Sequence, residues 1–150
     1  MLVVGLLAAC GGPQSRPAMK PKVIIEGTSI FIINAATSEQ VPIEIPFHVN
    51  SDVLDPESDG PLDALADFLA DNPDLALVEV QGHSDERGTP EHNLDLSKRR
   101  AKAVVAYLTG KGVDAGRLRS KGYGANRPSA TGTGETAWSQ NRRVEFVIIR

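Results

Sequence analysis

Three segments concentrate the groups able to do chemistry: Gly82-His83-Ser84-Asp85-Glu86-Arg87-Gly88, Asn93-Leu94-Asp95-Leu96-Ser97-Lys98-Arg99-Arg100-Ala101 and Asn141-Arg142-Arg143-Val144-Glu145. Asp85 falls just past a strand-like apolar run, and Arg100 follows it by fifteen positions on a helical pattern. A strand that turns back into a helix can bring two such groups to one pocket mouth. A carboxylate accepts from an ammonium, and a guanidinium fork takes a carboxylate on two N–H groups. Together they would hold both charges of one small zwitterion. The same spacing equally permits Asp85 and Arg100 to neutralise each other as a structural ion pair, and spacing alone leaves both accounts open.

Other chemistry fits less well. His83, Ser84 and Asp85 resemble the parts of a hydrolase, but adjacent residues on an extended strand point to opposite faces and cannot form a relay. His92 follows on the helix without a Gly-x-Ser-x-Gly elbow or metal-ligand spacing. A cell-wall hydrolase is therefore the weakest reading, no metal or other cofactor is expected, and His83 should pack and hydrogen-bond beneath the ligand loop. Lys98, Arg99, Arg100 and Lys102 fan round a helix at about 100° per residue, which describes a solvated face with Arg100 turned inward. The net charge of -3, with four Phe, two Tyr and one Trp, argues against nucleic-acid binding, which needs a clustered basic excess or a stacking platform.

The elements that must position these groups follow from periodicity. The 41% apolar, 23% charged composition is that of a globular protein. Val23 to Ile33 is β-branched and broken at Glu26-Gly27-Thr28, a hairpin pattern. Ile43 to Val49 alternates around Pro46 and reads as a strand. Pro56 and the acidic residues near it open a helix whose Leu62, Leu65, Ala66 and Leu69 share one face, and Asn72-Pro73 closes it. Ala76 to Gln81 is the next strand. Thr89-Pro90-Glu91 then supplies a cap, a first-turn proline and a dipole-matched carboxylate for a helix carrying Ala101, Val104, Val105 and Leu108, which ends at Lys111-Gly112. Arg117 to Lys121 and Val144 to Ile149 complete the strands. The sum is an α+β, two-layer sandwich of βαβαβ type, with a mixed sheet and two main helices.

Residues 1–9 form an apolar run too short to cross a bilayer, which takes roughly 20 apolar residues. Leu7-Ala8-Ala9-Cys10 resembles a lipobox, so 1–9 reads as a lipoprotein signal peptide and Cys10 as the lipidated residue. Residues 10–22, rich in Gly and Pro, read as a linker. The folded domain is expected over 23–150, held close to the outer membrane.

From about Ile43 to Ile149 the chain resembles the OmpA-like peptidoglycan-binding domain family. The stretch GHSDERGTPEHNLDLSKRRA resembles its GHxDxxGxxxxNxxLSxxRA signature, and Gly122-Tyr123-Gly124 and Asn141-Arg142-Arg143 fit as well. The Asp85–Glu91 run and Glu135 to Arg143 point within the family to the peptidoglycan-associated lipoproteins. The resemblance implies a binding protein that holds the peptide stem of peptidoglycan through diaminopimelate. By it, Asp85 takes the ammonium and Arg100 the carboxylate of the distal centre, Asn93 and Leu96 line the pocket, and Phe47 forms the opposite wall. His48 stands where many relatives carry an acidic residue, and its imidazole can still contact the stem. Arg142 and Arg143 either position stem carboxylates or pin the loop containing Trp138. The resemblance extends to an outer-membrane tether and to Tol proteins as partners; a periplasmic docking module without wall binding is the alternative.

Overall fold

The computed structural model describes residues 22–26, 29–33, 40–43, 45 and 47–149. The expected signal peptide, Cys10 and nearly all of the linker therefore lie outside the described residues. Strands β1 (Lys22–Glu26) and β2 (Ser29–Ile33) pair antiparallel, with Ile25 opposite Ile30, which is the expected hairpin. β3 (Gln40–Pro42) pairs with β2. Then come α1 (Asp59–Asp71), β4 (Leu77–Gly82), α2 (Pro90–Gly110), β5 (Leu118–Gly122), α3 (Glu135–Asn141) and β6 (Val144–Ile149). The sheet runs β1-β2-β6-β4-β5, with β3 on β2. β4 lies parallel to β5 across the α2 crossover and antiparallel to β6, so the sheet is mixed as expected.

One expected strand is corrected. β3 ends at Pro42, and the described residues of this stretch, 43, 45 and 47–49, are not in a regular strand. Ile43, Ile45 and Phe47 are nevertheless all buried, and the alternation that suggested a strand is the imprint of that burial. The Ile45 and Val144 backbones exchange N–H···O bonds of 3.3 and 3.2 Å, and Phe47 N–H reaches Arg142 O at 3.4 Å. The segment thus lies beside the start of β6, and Pro46 has no N–H to add to a ladder.

Leu62, Leu65, Ala66 and Leu69 of α1 are buried against Val78 and Val80 of β4, Val144, Phe146 and Ile148 of β6, and Ala101, Val104 and Leu108 of α2. Each fully buried aliphatic side chain contributes about 1.5–3 kcal/mol relative to exposure, so this aliphatic layer is the main support of the sheet. A 3₁₀ turn at Pro56–Ser58 leads into α1, and Asn72 ends it, its Nδ2 donating to Phe68 O at 2.8 Å. Arg117 then seals that end, giving Nη1–H to Leu69 O at 2.7 Å and Nη2–H to Asn72 O at 2.8 Å. The carbonyls of a last helical turn have no partner of their own, and a guanidinium answers both that need and the dipole.

α2 starts as its sequence dictates: Thr89 Oγ1 accepts from His92 N–H at 3.2 Å, and Pro90 occupies the first turn. It ends with Lys111 as cap and Gly112 at φ 97°, a backbone that disfavours any side chain. Its buried stripe is Asn93, Leu96, Ser97, Arg100, Ala101, Val104 and Leu108. The third helix, α3, has only Ala137 and Asn141 buried and was not legible as an apolar stripe.

Candidate functional site

The site is built where β4 runs out against α2. An added Cβ on Gly82 would lie 1.9 Å from the Ser97 backbone oxygen, so only glycine lets the helix cross the strand end this closely. Beyond Gly82 the ladder continues without being regular strand. His83 N–H bonds to Arg143 O at 2.8 Å, and Ser84 N–H to Gly124 O at 3.0 Å. The Ser97 hydroxyl accepts from Gly124 N–H at 2.9 Å, tying the same loop to α2. Asp85 is therefore delivered at the first residue freed from the sheet. Its carboxylate accepts the Arg87 backbone N–H at 3.0 Å, an Asx turn that starts the loop. Gly88, at φ 94°, carries the chain round to Thr89.

A pocket of about 190 Å³ opens there. Asp85, Arg87, Gly88 and Ser84 form its strand-end side, Asn93, Leu96, Arg100 and His92 its helix side, and Val49, Asn50 and Arg142 close it. It is smaller than the roughly 300–1,000 Å³ of drug-sized ligand sites and suits the end of a side chain.

Arg100 is fully buried, as the inward turn of its helix position implied. It does not pair with Asp85. Its Nε–H donates to Ser51 O at 2.9 Å, Nη1–H to His83 O at 3.1 Å and Nη2–H to His48 O at 2.8 Å. The Phe47 ring lies beneath, 5.0 Å from the guanidinium carbon. A guanidinium has five N–H groups, so three are committed and each terminal nitrogen keeps one among the described contacts. Burial, followed by the nearby charge of Arg142, lowers its pKa to about 10. It stays charged at neutral pH.

Asp85 is held by two other arginines. Arg87 Nε–H reaches Oδ1 at 3.1 Å and its Nη2–H reaches Oδ2 at 2.6 Å, while Arg142 Nη1–H reaches Oδ2 at 3.2 Å. Burial alone would raise the Asp85 pKa; the hydrogen bonds from Arg87 and Arg142 outweigh it and hold the carboxyl below its ordinary value. The lining thus carries three guanidinium charges against one carboxylate, a balance that favours an anionic group in the pocket.

Asn93 and Leu96 line the pocket. Ser84, which sequence reasoning did not place at the site, belongs to the same lining and has a buried hydroxyl without a hydrogen-bond partner among the described residues. The signal was available: a small polar residue directly before Asp85 at a strand end.

Phe47 and His48, expected at the site, are not among the residues that line this pocket. Phe47 supports Arg100 from the core side, because its residue belongs to the buried alternation of 43–47. His48 contributes its carbonyl to Arg100, while its exposed imidazole stands 3.1 Å from Asp55. Val49 and Asn50 form that wall instead. Arg142 lines the pocket, and it pins the chain through Phe47 O at 2.9 Å and through Glu135 on α3. Arg143 lies away from the pocket, bound to Glu145 at 2.5 Å and to Arg127 O at 3.2 Å.

His83 packs as expected but makes no side-chain hydrogen bond. Its ring stacks on Tyr123 at 5.5 Å and 12°, and both ring nitrogens are buried without a hydrogen-bond partner among the described residues, Glu145 standing 3.9 Å from Nε2. Burial, then the charge of Arg143, pushes its pKa down to about 4, so it is neutral at physiological pH. What it supplies to the site is its carbonyl, to Arg100.

Residues 46–142 match the OmpA family. The chain is 54% identical over 83 residues to the peptidoglycan-associated lipoprotein of Haemophilus influenzae, covering 55% of this chain and 54% of that protein. It is 46% identical over 100 residues to the peptidoglycan-associated lipoprotein of Pseudomonas putida, covering 67% of this chain and 59% of that one. The chain thus spans a little over half the length of these relatives. Among solved structures, the crystal structure of the peptidoglycan-associated lipoprotein from Burkholderia pseudomallei superposes with a TM-score of 0.67 at 34% identity, covering 69% of this chain and 87% of that one.

Proposed function

The chain belongs to the OmpA family, and on that premise we propose that it binds the diaminopimelate-bearing stem of peptidoglycan non-covalently and tethers the outer membrane to the cell wall. The observation that carries the reading is the unspent hydrogen-bonding capacity in the pocket. Buried polar groups are ordinarily satisfied, yet among the described residues the Ser84 hydroxyl lacks a partner, and Arg100 keeps an N–H on each terminal nitrogen. A stem carboxylate placed between those two nitrogens would accept two charge-assisted bonds. Asp85 would receive the ammonium of the same centre, and Leu96 would cover its methylene chain. The names of the two relatives above accord with an association with peptidoglycan.

The domain acts by binding and positioning, not by bond cleavage. Cys10 is the proposed lipidation site, and the Gly- and Pro-rich residues after it serve as a short leash to an outer-membrane anchor with the domain in the periplasm. Many such tethers along one sacculus act through effective concentration, so each need not bind tightly. Docking to Tol proteins is compatible with wall binding and would place the chain in a Tol–Pal system.

Co-sedimentation with purified sacculi tests the reading. Wild-type protein should pellet with the wall, and Asn93→Ala and Asp85→Asn should remain largely in the supernatant. Equal pelleting of all three proteins would remove the proposed site.

A further inference from the structure

If the proposed site is right, Asp85 presents a difficulty that points to a further residue. A carboxylate offers about four lone-pair positions. In Asp85 Oδ1 accepts the backbone N–H and Nε–H of Arg87, at 3.0 and 3.1 Å, and Oδ2 accepts Arg87 Nη2–H and Arg142 Nη1–H, at 2.6 and 3.2 Å. All four positions are taken, so a ligand ammonium has none left.

The two arginines are not equally fixed. The Arg142 side chain is 7% exposed and also holds Phe47 O and Glu135, so moving it would break the wall. The Arg87 side chain is 37% exposed, on the loop between Asp85 and Gly88. In this position its guanidinium carbon also lies 4.1 Å from the centre of the Trp138 ring, and the charge of Glu135 acts on it, so contacts other than Asp85 lie beside it. Trp138 is itself held, its indole N–H donating to Glu86 at 3.1 Å.

We propose that Arg87 is a specificity-determining plug: its guanidinium occupies the ammonium position on Asp85 and must swing off that carboxylate before an amino-bearing ligand is admitted. The cost of that displacement reduces apparent affinity by the fraction of molecules already open. It also sets selectivity. A ligand lacking the amino group gains nothing by displacing Arg87, and instead benefits from the positive charge that Arg87 leaves at the pocket.

The inference rests on the diaminopimelate reading, and the test separates the two. Arg87→Met keeps a long stem against Trp138 and removes the charge. Two tripeptide stems are titrated by calorimetry into wild type, Arg87→Met and Asp85→Asn: one ending in meso-diaminopimelate, the other in the analogue whose distal amino group is missing. The expected result is that Arg87→Met tightens the amino-bearing stem by about fivefold or more and leaves the desamino stem unchanged or weaker. A loss of folded protein would weaken both stems together and cannot mimic opposite shifts. If Asp85→Asn abolishes wild-type binding but Arg87→Met fails to tighten it, or shifts both stems alike, the plug is overturned and the site stands. If neither stem binds any of the three proteins, both fall.

Discussion

Arg142 Nη1 stands 3.2 Å from Asp85 Oδ2, with both side chains more than nine-tenths buried and 57 positions between them in the chain. The contact fastens the start of β6 to the loop leaving β4, at the edge of the pocket. Because Arg142 also donates to Phe47 O, one guanidinium holds three separate segments together.

That arrangement makes Arg142 a stability residue as well as a pocket residue. Arg142→Ala leaves a buried carbonyl unpaired and removes one of the two guanidinium side chains on Asp85, for an expected loss of about 3 kcal/mol or more. Arg142→Lys should recover little, since a single ammonium cannot span the same partners. Urea unfolding of the three proteins measures this, and a loss below about 1 kcal/mol would contradict it.

Arg100 has the same double character in stronger form. Truncation to Ala strands the buried carbonyl of His83 and takes a guanidinium partner from the part-buried carbonyls of Ser51 and His48, of which His48 O keeps the Ser51 N–H; a buried unpaired acceptor costs about 1–3 kcal/mol. Arg100→Ala is expected to unfold at markedly lower denaturant than wild type. A wild-type midpoint would mean those three contacts add nothing.

At Gly82 the space is the constraint. Ala there would set its methyl 1.9 Å from the Ser97 oxygen, a backbone atom that cannot rotate away. Overpacking of this kind costs about 1–3 kcal/mol or more, so Gly82→Ala should lower the thermal midpoint by several degrees and loosen the pocket floor.

His83 makes stability depend on pH in a defined window. Its folded pKa of about 4 lies below its ordinary 6.5. The unfolded chain therefore binds a proton that the folded chain refuses between those values, so stability is complete above about 6.5 and falls as pH drops toward 4. At roughly 1.4 kcal/mol per unit, the loss approaches 3 kcal/mol. His83→Phe, which can keep the stack on Tyr123, should flatten this slope in denaturation at pH 7, 5.5 and 4. An unchanged slope would assign it to other groups.

Much of this was legible in the sequence because it rests on local rules. The cap at Thr89, the stripe through Ala101, Val104 and Leu108, and the inward turn of Arg100 each follow from spacing within one element. The partners of Asp85 do not. Arg87 reaches it through an Asx turn, and Arg142 from 57 positions away, and neither leaves a periodic trace. The 43–47 segment misled because burial on alternate residues looks the same whether or not a regular ladder forms. α3 was missed because a seven-residue helix with Ala137 and Asn141 inside has too narrow an apolar side to announce itself. His48 could be placed as a side chain, but its contribution is a carbonyl, which no residue type reveals.

The most direct measurement compares stem peptides that differ only at the third residue, meso-diaminopimelate or lysine, titrated into wild-type protein. Lysine lacks the distal carboxylate, so the two remaining N–H groups of Arg100 would face no acceptor, and binding should weaken by about 2–5 kcal/mol, some 30-fold at least. Equal affinity for the two peptides would contradict the account, because nothing in the pocket would then be reading the charge it is arranged to hold.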